Sequence, residues 1–185
     1  MTPDAFHFEG LTWTVLDRRS GVQDEKGVWR RDDSAEVELL PDSVFAVVHT
    51  FCKTGAEAMQ AKRPREAHDS FVGVLELVPK PLGRWNAVGW ALLALGHTHI
   101  SQASWNTARQ VLSDAMWSPG VFGNPWAHRL KGQVHLALSE RERAADDLAR
   151  AYMAGGRAIF EGAGPECMVL LEQVLEPPPG HNRLP

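Results

Sequence analysis

Two periodicities divide the chain. Up to residue 40, bulky and polar side chains alternate over short stretches; from Pro41 onward, apolar positions recur every three or four residues. "LTWTVLD" (11–17) holds Trp13 and Val15, both strong β-formers, and predicts a strand. "SGVQDEKG" (20–27) has the composition of a turn-rich connection, while "VWRR" (28–31) and "AEVELL" (35–40) predict further short strands. Residues 1–40 are therefore expected to form a small hairpin or three-stranded ribbon. "PDSVFAVVHTFCKTGAEAMQAK" opens the helical part, with Pro41 suited to a first helical position. Helical spacing then continues to about Leu175, cut at Arg63-Pro64, Pro79-Lys80-Pro81, Ser118-Pro119-Gly120 and Gly155-Gly156. Asn86 and Asn124 are expected as helix caps. A last helix is predicted in "GPECMVLLEQVL" (164–175), with Met168, Leu171, Val174 and Leu175 as its apolar stripe. The helical domain thus spans 41–176, and the Pro-rich residues 177–185 are expected to be a flexible tail.

A longer period overlies the helical one. Gly96 is followed by Ala108, Leu112 and Ala115, and the same intervals recur as Gly132, Ala144, Leu148 and Ala151, 36 residues on. They recur upstream as Gly55, Ala67, Phe71 and Val74, at an offset of 41. Pro79 and Pro119 close the first two units. Small Gly and Ala let two helices cross closely, and the larger residues fill the layer between them.

This ladder resembles the tetratricopeptide repeat, whose W-x2-L-G-x2-Y, Ala, Ala-x3-Phe and Pro positions it follows over about residues 44–155. It departs from that pattern in its long first offset and in Lys131, where the family places Leu. The resemblance implies a mainly α fold: a three-repeat helical solenoid with a small β-containing N-terminal region. His99 and His135 fall on the family's Tyr slot and His128 on its first aromatic slot, which implies inter-helix packing. The family also lines a concave groove with the first helix of each repeat. Its groove slots fall here on His49, Cys52 and Ala56, then on Trp90, Leu93 and His97, then on Trp126, Arg129 and Gln133. Trp and Arg are common binding anchors, so these positions are the candidate partner-binding residues. The competing reading makes the Trp side chains core, covered by the N-terminal ribbon or the last helix.

Composition and charge narrow the functional classes. The net charge of −4 is concentrated at the start, because residues 1–40 hold 9 of the 23 acidic and 5 of the 19 basic side chains. No basic surface is expected, so nucleic acid is an unexpected partner. Cys52 and Cys167 stand alone, which fits a reducing compartment; no signal peptide or membrane-length apolar run is seen, and a cytoplasmic location is expected. No G-x-S-x-G, P-loop, G-x-G-x-x-G or H-E-x-x-H is present, so neither cofactor nor metal is expected. Cys52 and His49 are one turn apart, a conceivable nucleophile and base, but an enzyme ranks last. "RERAADDLAR" (141–150) reads as a solvated helix.

"DDLARAYMAGGRAIFEG" followed by a short helix also resembles short bacterial repeat proteins encoded beside secreted toxins. That resemblance implies an immunity protein binding one specific toxin or effector. The acidic residues Asp24, Glu25, Asp32, Asp33, Glu36 and Glu38 would then suit a basic toxin. The alternative is an adaptor or secretion chaperone gripping an extended peptide in the groove.

Overall fold

A computed structural model describes residues 6–8, 11–13, 18–32, 37–177, 179–180 and 184, with side chains from residue 18 onward. Its elements are strands β1 (Phe6–Phe8), β2 (Leu11–Trp13), β3 (Gly21–Gln23) and β4 (Trp29–Arg31), then helices α1 (Asp42–Gln60), α2 (Pro64–Leu77), α3 (Asn86–Ser101), α4 (Trp105–Ala115), α5 (Pro125–Ala137), α6 (Arg141–Gly155) and α7 (Pro165–Val174). Short 3-10 turns occupy Leu82–Arg84 and Arg157–Phe160. The fold is mainly α. The chain divides into two compact units, Met1–Phe8 with Thr12–Phe122, and Glu9–Leu11 with Gly123–Pro185.

In the first unit α1 pairs with α2 and α3 with α4, and α2 also packs on α3. Gly55 shows why α1 and α2 approach so closely: a Cβ there would come within 2.4 Å of the Phe71 ring. Gly96 stands in the same relation to Leu112. Both partners are buried, with Ala67 and Val74, and Ala108 and Ala115, completing the two interfaces. A second layer gathers Leu40, Val48, Cys52, Val74, Val78, Trp85 and Val88. In the smaller unit α5 pairs with α6, and Gly132 faces Leu148 as Gly96 faces Leu112.

The three helix pairs turn alike. Lys62, Ala103 and Ser139 each adopt positive φ, at 55°, 54° and 62°. The following residue then reaches back to a carbonyl of the first helix: Arg63 N–H to Ala58, Ser104 N–H to His99 and Glu140 N–H to His135, at 2.8, 2.9 and 2.8 Å. The carbonyls of Arg63, Ser104 and Glu140 in turn accept from Ala67, Ala108 and Ala144 and start each second helix.

Several local expectations shift. α1 begins at Asp42, one residue beyond Pro41. Asn124 caps α5 by accepting from Trp126 N–H at 2.9 Å, but Asn86 is the first residue of α3 and follows Trp85 at the cap position. β3 arises within the stretch read as a connection. Its turn shrinks to residues 24–27 because the Asp24 carboxylate accepts from the N–H groups of Lys26 and Val28. β3 pairs antiparallel with β4, Val22 opposite Arg30. No strand forms over 37–40, where Leu39 makes one bridge to Arg19; residues 35–36 of the same expected strand, and 14–17 of the first, lie outside the described residues. α7 buries Cys167, Leu170 and Leu171, a face turned from the expected Met168 stripe. In the tail, Leu184 is buried and its carbonyl accepts from Arg157 at 3.1 Å.

Candidate functional site

The expected groove slots are for the most part interior. Cys52, Leu93, His97, Trp126 and Arg129 are buried, while His49, Trp90 and Gln133 are half-buried. In the first unit Trp90 packs edge-on against Phe71, ring centroids 5.7 Å apart. Burial pushes the Cys52 thiol far above its usual range, which removes the thiolate that a nucleophile paired with His49 would need. In the smaller unit Arg129 is fully enclosed. Its guanidinium donates to the carbonyls of Glu161 at 3.0 Å and Ile159 at 3.5 Å and sits 6.0 Å from the Trp126 ring centroid. Arg129 therefore holds the Arg157–Phe160 turn onto α5, with the Trp126 ring beside its guanidinium. A buried guanidinium is tolerated only when its donors find acceptors, and both carbonyls serve that need.

The smaller unit also contains a polar network that joins His128 and His135, expected to pack between helices, to Asp147, which lies in the stretch expected to be a solvated helix. Asp147 of α6 is buried, and its carboxylate accepts from His128 Nδ1 at 2.7 Å. Lys131 Nζ lies 3.3 Å and His135 Nε2 3.5 Å from the other carboxylate oxygen. His135 Nδ1 contacts Glu140 at 2.6 Å, and Glu140 also meets Arg143 at 3.3 Å. Burial raises the Asp147 pKa, but the His128 hydrogen bond and the Lys131 charge outweigh it, so the carboxyl titrates below its ordinary range. Glu140 is likewise lowered, chiefly by its bond with His135.

A signal for this network was present in the ladder. His128, Lys131 and His135 stand 36 residues beyond Leu92, Leu95 and His99, and Asp147 stands 36 beyond Val111. Two leucines and a valine are exchanged together for a histidine, a lysine and an aspartate that pair with one another. The arrangement fixes α5 on α6; each charged group is occupied by another. Among the described residues, no group of three or more His, Cys, Asp and Glu side chains is placed to hold a metal ion. No described helix is long and apolar enough to cross a membrane.

Of the acidic N-terminal residues, Asp33 and Glu36 lie outside the described residues, and Asp24 and Glu38 are paired. Asp24 pairs with Arg30 at 3.0 Å, Glu38 with Arg84, and Asp42 with Arg18 at 2.5 Å. Large apolar groups remain exposed elsewhere in the first unit, notably Val22, Trp117 and Phe122. Comparison with known proteins finds no family model that matches the chain and no curated protein similar to it.

Proposed function

We propose that the chain is a protein-binding module built as a three-repeat, tetratricopeptide-like solenoid, and that it serves as a cytoplasmic immunity protein that binds and neutralises one cognate bacterial toxin or effector. The observation that carries this reading is the threefold recurrence of one unit. Gly55, Gly96 and Gly132 each face a large side chain of the next helix, and Lys62, Ala103 and Ser139 each make the same left-handed turn. Modular helix pairs of this kind generate broad surface and recognise other proteins by shape and patch chemistry. The burial of Cys52, Leu93, His97, Trp126 and Arg129 favours a folded partner met outside that stripe over a peptide laid along it.

The test uses the proteins encoded beside this chain's gene, each expressed in a bacterial host alone and together with the full chain. One of them is expected to arrest growth alone, to lose that effect on co-expression, and to co-elute with the chain in a defined ratio. If co-expression relieves no growth arrest while an unfolded client is kept soluble, the chaperone reading replaces this one.

A further inference from the structure

Two histidines from different helix pairs meet where the second pair docks on the first. His68 lies on α2 and His99 on α3, and their rings meet edge to face, centroids 5.4 Å apart and planes at 76°. Both residues are half-buried. The same joint buries Ala67, next to His68, and Leu95, one turn before His99, in one apolar cluster. One turn further along α2, Phe71 repeats the arrangement with Trp90 of α3. Two edge-on ring pairs thus span the α2–α3 joint, and the histidine pair can acquire charge near neutral pH.

The surroundings favour neutral rings. Burial, and after it the neighbouring His68, hold His99 below the ordinary histidine range. Among the described residues, the carboxylate in contact with the pair is Asp69 of α2, whose Oδ1 lies 3.3 Å from His68 Nδ1. Its side chain is 84% exposed, so solvent screens it. Also on α2, Glu66 is taken by Arg63, and Arg65 is a further cation one turn before His68. The charged side chains Lys53 and Glu57 of α1, and Arg109 and Asp114 of α4, form no ion pair or hydrogen bond with either ring. Arg84, in the 3-10 turn before α3, is paired with Glu38. We propose that the His68–His99 contact makes the α2–α3 joint pH-sensitive: neutral rings hold the first helix pair to the second, and protonation of both in mild acid sets like charges side by side and loosens the joint. This regulation does not depend on what the chain binds. The sign follows from linkage. With its folded pKa below its unfolded one, His99 contributes stability that is complete above the ordinary value of 6.5 and fades as pH falls through the folded pKa.

The test is thermal unfolding of the full-length protein from about pH 8 to about pH 5, beside His99→Phe, His68→Gln and His68→Glu, with the imidazoles followed by NMR. Over this range the wild-type midpoint is expected to fall by about 2–4 °C more than that of His99→Phe, which keeps a ring and takes no proton. His68→Gln is expected to raise the pH at which His99 titrates, and His68→Glu to raise it further; a merely structural contact would leave that titration unmoved. His128 and His135 are common to all four proteins, so the differences cancel their contribution. The proposal is overturned if wild type and His99→Phe give parallel curves, or if His99 titrates at the same pH in wild type and His68→Gln. Should His99→Phe fail to fold, the His99 titration in the two His68 variants, whose altered side chain is 40% exposed in the wild type, still decides it.

Discussion

Gly96 and Ala103 lie seven residues apart in one helix pair, and their side chains are matched to opposite demands. Gly96 has little room: a Cβ would come within 2.5 Å of the Leu112 side chain. Alanine is the better helix former by about 1 kcal/mol, whereas overpacking a rigid core costs about 1–3 kcal/mol. Gly96→Ala is therefore expected to lower stability by up to about 2 kcal/mol, the overpacking term winning, read as a lower urea midpoint with unchanged slope. Ala103 has the reverse problem, because its φ of 54° is a conformation that favours glycine. An L side chain there costs about 1 kcal/mol, so Ala103→Gly is expected to raise stability by about 0.5–1 kcal/mol. An equal or lower urea midpoint for Ala103→Gly would mean that the turn is not strained.

At the scale of elements, α5 and α6 are joined by apolar contacts and by the Asp147 network, and the two parts respond differently to pH. The folded-state pKa of Asp147 lies below its ordinary value of 3.8. Its contribution is thus present above that value and fades as pH falls through the lower folded pKa. The wild type is expected to lose stability steeply in that acid range, and Asp147→Asn to be less stable at neutral pH with a shallower acid loss. Thermal midpoints of both proteins against pH check this, and parallel curves would show that the carboxylate's pairing contributes nothing. The helix pairs themselves were legible in the sequence because small residues must recur wherever helices cross closely, and Gly55, Gly96 and Gly132 meet that requirement. Asp147 was misread because its own helix text is rich in charge. Its partners lie on another helix, and only the ladder offset aligns them.

Across the whole molecule, the sequence located surface less well than packing. Trp126 and Arg129 have the composition of binding anchors, yet residue type does not distinguish an anchor for a partner from an anchor for the chain's own turn. Arg129 meets the carbonyls of Ile159 and Glu161, 30 and 32 residues away, and so serves the chain's own turn. β3 was hidden for the converse reason, since Gly21 and Gln23 are poor strand formers and are held by pairing with β4 and by the seat on Pro119. Stability and recognition should consequently separate on this molecule. Arg129→Ala strands two carbonyls and opens a cavity beside Trp126, and Trp126→Ala removes a buried ring. Each is expected to cost about 3 kcal/mol or more in stability. Any loss of partner binding should follow that unfolding and be recovered at lower temperature. Calorimetric affinities measured well below each variant's unfolding transition decide the matter. If Arg129→Ala still binds weakly when fully folded, recognition belongs to the α5 stripe.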